Sequence, residues 1–141
     1  MTVYREVPIE PEVVAEALAT AALELKAADV VILDMRSLID YADVFVLCTA
    51  RNRRHVQALA DEVRRKARTD LGIGCAGVEG LPVGRWVLVD FEAVVVHIFD
   101  GPLRPFYNLD GLWADAPRLS TPAGEDDDDI GTPVFPEPFS A

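Results

Sequence analysis

Asp90-Phe91-Glu92 sets two carboxylates two positions apart, on one side of any strand that carries them. That spacing holds a divalent metal at the phosphoryl-transfer site of a nucleotidyltransferase. The same chemistry also requires a Gly-Ser turn at a helix start to cradle nucleotide phosphates. The only position suited to it reads Thr49-Ala50-Arg51-Asn52, which lacks both residues. The competing reading, two acids that cap and solubilise a hairpin turn, needs no such partner. Cys48, His97 and Asp90 supply the residue types of a nucleophile set. Cys48, however, lies at the end of the apolar run Val44–Leu47, where a thiol is buried and inert. His97 lies inside Val94-Val95-Val96-His97-Ile98-Phe99, the setting of a hydrogen-bonded strand residue. Gly72-Ile73-Gly74-Cys75-Ala76-Gly77 matches a dinucleotide fingerprint letter for letter, but that motif works only between a strand and a helix N-terminus. Here a helix pattern precedes it, so Gly72 reads as a helix C-cap. With two histidines and two cysteines in the chain, no metal-ligand spacing of those types exists. No catalytic, cofactor-binding or metal-ligating residue is assigned.

Aromatic placement carries more information. Six of the eleven aromatic residues, both tryptophans among them, fall between Trp86 and Trp113. Tyr and Trp anchor interfaces when they are not filling a core. Trp86–Asp90 and Ala93–Phe99 alternate like the strands of a hairpin. Pro102 and Pro105 end that pattern, and Phe106, Leu109, Leu112 and Trp113 recur at helical spacing, predicting a short amphipathic helix. A hairpin feeding an aromatic helix is a docking surface before it is a reaction centre.

The elements that position this region are legible upstream. Pro11 at a first helical position, with Glu10, Glu12 and Glu16 at the positive end of the dipole, opens a helix reaching about Lys26. Its apolar stripe is Val14, Ala17, Leu18, Ala21 and Leu25. Val30–Leu33 and Val44–Thr49 read as buried strands. Asn52 caps a second helix to about Asp70, with Val56, Leu59, Ala60, Val63, Ala67 and Leu71 on one face. Its outer face holds Asp61, Glu62, Arg65 and Lys66 at i,i+4 spacing. A glycine-rich connection through Gly80, with room for a short strand, leads to the hairpin. The pattern predicts an α/β fold, a mixed sheet flanked by helices, in one domain over residues 1–116. Residues 117–141 are rich in Pro, Gly and Asp, include the acidic run Glu125–Asp129, and predict a disordered tail.

The net charge of -11 opposes bulk electrostatic binding to nucleic acid. It is uneven, because the segment from Ala114 carries -6 of it. Seven of the thirteen basic residues lie between Arg51 and Arg68, the one segment suited to RNA phosphates. Unpaired cysteine spacing suits a reducing compartment, and no apolar run approaches the roughly 20 residues of a membrane span. The acidic N-terminus does not resemble a signal peptide. A cytoplasmic location is expected.

Several blocks then match a known pattern in order and spacing. They are Val30–Asp34, Tyr41-Ala42-Asp43-Val44-Phe45-Val46, Arg54–Asp61, Trp86–Asp90, Val94–Phe99 and Phe106-Tyr107-Asn108-Leu109-Asp110-Gly111-Leu112-Trp113. Over residues 10–114 the chain closely resembles the ribosomal silencing factor family, also called the RsfS or iojap family. The resemblance implies a nucleotidyltransferase-like fold without catalytic machinery, no enzymatic activity and no cofactor. It also implies binding to the large ribosomal subunit through that subunit's protein number fourteen, so that the small subunit cannot join, and a homodimer off the ribosome. Carried over by position, the partner-binding residues would be Trp86, Asp90, His97, Tyr107, Leu109, Asp110 and Trp113. This chain departs from the family at three places. Glu92-Ala93 stands where Gly-Asp is usual, which predicts another hairpin turn, and Asp110 is one methylene shorter than the frequent Glu. Arg51, Arg53 and Arg54 replace small residues and offer a minor contact with ribosomal RNA. The alternative reading remains a divergent metal-dependent nucleotidyltransferase using Asp90 and Glu92.

Overall fold

The computed structural model describes residues 9–101 and 114–121. The expected aromatic helix over Phe106–Trp113 lies outside them. Pro11 starts α1, Pro11–Glu24. A lysine makes the left-handed turn that ends it: Lys26 adopts φ 70°, its N–H bonds the Leu23 carbonyl, and the Ala27 N–H returns to Ala22. This paired 5→2 and 6→1 closure satisfies carbonyls that the helix end would orphan. The buried face of α1 is Val14, Ala15, Leu18, Ala19, Ala21 and Ala22, a rotation from the predicted stripe that leaves Ala17 at the margin.

Strands β1 (Ala28–Asp34) and β2 (Val44–Ala50) follow and pair antiparallel. The Asn52 side chain accepts the His55 N–H at 2.8 Å and caps α2, Arg53–Lys66, as the sequence predicts. Val56, Leu59, Ala60 and Val63 are fully buried along it. The helix does not run regularly to Asp70: Ala67–Leu71 form a π turn, closed by Gly72 at φ 69°. There the Thr69 hydroxyl donates to the Arg65 carbonyl, its i−4 acceptor, and competes with the backbone ladder. The ion pairs also differ from the expected i,i+4 set. Asp61 meets Arg64 and Glu62 meets Arg65, both at i,i+3, while Lys66 pairs with Asp70. Both spacings bring helical side chains together, so the pattern alone does not choose between them.

Strands β3 (Gly77–Glu79), β4 (Trp86–Asp90) and β5 (Val94–Asp100) complete a meander. Arg118–Leu119 then add β6 to the free edge of β1. The sheet thus takes two residues from the segment assigned by composition to the tail; Leu119 packs against the core, and a two-residue bridge needs no apolar run to announce it. The six-stranded order is β3-β4-β5-β2-β1-β6, with β2 and β5 parallel and every other pair antiparallel. This is the mixed α/β sheet predicted. Both helices cover one face, burying Ile32, Val46, Cys48, Val87, Val89, Val96 and Ile98. Alternation along the strands turns Val31, Leu33, Phe45, Leu47, Val95 and Phe99 to the other face.

Candidate functional site

Register builds an aromatic cluster on the face away from the helices. Trp86 lies directly opposite Phe99, and Leu88 opposite His97, across the β4–β5 hairpin; Leu47 on β2 flanks His97 on its other side. The Trp86 ring stacks 5.5 Å from Phe99 and 6.2 Å from His97, and Phe45 stands 4.5 Å from the imidazole. The indole N–H donates to His97 Nδ1 at 3.2 Å. An indole nitrogen can only donate, so Nδ1 is an acceptor and the proton of this neutral imidazole sits on Nε2. His97 is buried, whereas Trp86 and Leu88 are half-buried.

The cluster has an exposed margin that sequence reasoning missed as a site. Tyr41 is 66% exposed with its ring 6.2 Å from Phe45, and Leu38 in the same connection is 44% exposed. The available signal was a tyrosine in the connection between β1 and β2, flanked by Asp40 and Asp43. Gly80 fixes the approach to Trp86 from the other side: at φ 92° its α-carbon faces the Trp86 carbonyl so closely that a β-carbon would collide with that oxygen.

Asp90 stands where the hairpin turns. Its Oδ1 accepts the Glu92 N–H at 2.7 Å, and the Phe91 N–H bonds the Val94 carbonyl. Glu92 adopts φ 74° and Ala93 does not share the positive φ, which rules out a type I′ turn. The two carboxylates therefore do not line one strand face: Asp90 braces the loop and Glu92 is exposed within it. Among the described residues, no group of three or more His, Cys, Asp or Glu side chains gathers as metal ligands do. Cys48 packs among the residues under the helices and His97 lies on the opposite sheet face, so the Cys48–His97–Asp90 set is not assembled. Gly72 caps a helix end, as its position predicts. His55 is structural: its Nδ1 accepts the Arg51 N–H at 2.9 Å and its Nε2 lies 2.7 Å from the Leu25 carbonyl, tying α2 to the end of α1. Tyr107, Leu109, Asp110 and Trp113 fall outside the described residues.

The family described as "Ribosomal silencing factor during starvation" matches residues 8–135. The chain belongs to the ribosomal silencing factor family. Among family members it is similar to ribosomal silencing factor RsfS of Halalkalibacterium halodurans, 42% identical over 94 residues, 67% of this chain and 80% of that protein. It is 41% identical to RsfS of Bacillus subtilis over 99 residues, 70% of this chain and 83% of that protein. The chloroplastic iojap protein of Arabidopsis thaliana is 32% identical over 105 residues, 74% of this chain and 43% of that protein. A crystal structure from Chromobacterium violaceum superposes with a TM-score of 0.72 at 30% identity, covering 82% of this chain and 95% of that one. A Bacillus halodurans crystal structure gives 0.67 at 34% identity, covering 77% and 98%. Membership of the ribosomal silencing factor family places this chain among regulators of translation, and its sheet carries the aromatic cluster just described.

Proposed function

We propose that this chain binds the large ribosomal subunit at its protein number fourteen and, by occupying that site, prevents the small subunit from joining. The supporting observation is the aromatic face of the sheet, where half-buried Trp86 stacks on His97 and Phe99 and, through Phe45, the cluster reaches the exposed Tyr41. Large apolar anchors ringed by groups able to hydrogen-bond are the composition of an energetic hot spot. Steric exclusion needs no catalysis and no cofactor, and Asp90 already serves the hairpin turn. The partner-binding set is Trp86, Asp90, His97, Tyr107, Leu109, Asp110 and Trp113. Trp86 and His97 act as one unit, the histidine fixing the indole plane. Arg51, Arg53 and Arg54 add a minor contact with ribosomal RNA, and off the ribosome the chain pairs with a second copy. The site of action is the cytoplasm.

Cosedimentation with purified large subunits tests the binding surface. Trp86→Ala weakens binding by at least ~2 kcal/mol, the cost of losing a hot-spot residue. Its circular dichroism must first show that it folds. Unchanged cosedimentation of the folded variant overturns the assignment.

A further inference from the structure

Arg51, Arg53 and Arg54 are all exposed, and the last two belong to two open depressions that adjoin one another. The first is completed by Arg51, Asn52 and Asp100, so three guanidinium groups border it against one carboxylate. Among the described residues, no acid pairs with any of the three, whereas Arg64, Arg65 and Lys66 further along α2 each hold one. Arg53 and Arg54 open α2 with no acid in its first turn, which adds positive charge to the positive end of the dipole. That arrangement costs stability in the free chain and is relieved by a bound anion. In a chain of net charge -11 it is a local exception.

The second depression has a different character. Val56, Leu81, Pro82 and Gly84 give it apolar walls, and exposed Gln57 adds one side-chain amide. Arg53 joins the two: its Nη2 donates to the Pro82 carbonyl at 3.2 Å, and a β-carbon on Gly84 would lie 3.3 Å from its Nε. Gly84, at φ 74°, thus leaves the room in which this side chain lies against the loop. An arginine held in this way loses less freedom on binding than a free one.

Cations beside an apolar hollow fit an unpaired nucleotide better than a duplex. In a duplex the base faces are stacked away, and phosphate and sugar are what the strand offers. A single strand offers two parts: phosphates, which guanidinium groups bind bidentately, and a base face for an apolar or guanidinium plane. We infer that an unpaired segment of RNA docks here, with its phosphates on Arg51, Arg53 and Arg54 and one base in the hollow beside Leu81 and Pro82. The Gln57 amide serves the edge of that base. This deepens the RNA contact proposed above and rests on it, but it asks nothing of the aromatic face.

The test measures binding of the full-length chain to a fluorescein-labelled RNA oligonucleotide, as a single strand and as a duplex of the same sequence, over a range of salt. The single strand binds at least about fivefold more tightly. Arg51→Gln, Arg53→Gln and Arg54→Gln together lower its affinity about tenfold at low salt and make the salt slope shallower by about two, the share of three phosphates on a single strand. Gln57→Ala with Pro82→Ser, both at exposed positions, costs about threefold for the single strand and leaves the slope as it was. Arg64→Gln with Arg65→Gln, a control for bulk charge, changes either affinity less than about twofold. Equal affinity for both RNAs, with the arginine variant losing both alike, overturns the inference and leaves a bare phosphate contact; so does an unaffected Gln57 and Pro82 variant. An arginine variant that binds both RNAs as the parent does overturns the RNA contact as well. Neither result touches the docking of Trp86 on the large subunit, which cosedimentation reads separately.

Discussion

The indole N–H of Trp86 donates to Nδ1 of His97 across the hairpin at 3.2 Å, so the residue with the largest apolar surface on this sheet face is held in one orientation by a buried imidazole. Trp86→Phe keeps a ring to stack on Phe99 and removes the donor. It is expected to cost about 1 kcal/mol of stability, the net worth of one such hydrogen bond. For a domain of this size that lowers the thermal midpoint by roughly 3–4 °C, measurable by calorimetry. A variant as stable as the parent would mean that the bond orients nothing.

Gly80 is a second control on Trp86. A β-carbon there meets the Trp86 carbonyl, and the positive φ is itself unfavourable for alanine. Gly80→Ala is expected to destabilise the fold by about 1–3 kcal/mol in chemical denaturation and to shift the Trp86 fluorescence. Tolerance of the substitution with unchanged emission contradicts the close approach.

Tyr41 separates docking from packing. It is 66% exposed, so Tyr41→Ala should alter stability by no more than about 0.5 kcal/mol. If this margin belongs to the docking face, the same variant loses about tenfold in large-subunit affinity, read by cosedimentation. Equal affinity would confine the face to the hairpin.

Arg36 links α1 to the end of β1, and its hydrogen bonds hold the Glu12 and Asp34 carboxyls below the usual carboxylate range. A depressed carboxyl stabilises the fold above its unfolded value, about pH 4, and the contribution is lost as pH falls through the lower folded value. Arg36→Gln should therefore narrow the stability difference between pH 7 and pH 3, modestly because the groups are largely exposed. Identical acid-unfolding curves for both proteins would show the link to be inert.

What the sequence disclosed follows from the physics of each element. Asn52 and Gly72 were readable because a cap acts through its own side chain or its own φ. The hairpin and the two buried strands were readable from alternation. Lys26 was not, since a left-handed helix end usually advertises itself with glycine, and here the return bonds to Leu23 and Ala22 enforce it. The strand Arg118–Leu119 is too short to leave a pattern. At the site, Trp86 was visible as an aromatic, but its bond to His97 depends on register across the hairpin, eleven residues apart, which periodicity does not supply. Asp90 and Glu92 are the turn acids that one of the two sequence readings expected; the other, a metal-holding pair, needs two-residue spacing on an extended backbone, and Glu92 at φ 74° is not extended.

The central claim is that the bound chain excludes the small subunit. Large and small ribosomal subunits mixed rapidly, with joining followed by light scattering, test it most directly. The scattering rise should shrink as this protein is added, and Trp86→Ala should restore it. Full joining at protein concentrations that saturate the large subunit would contradict the account.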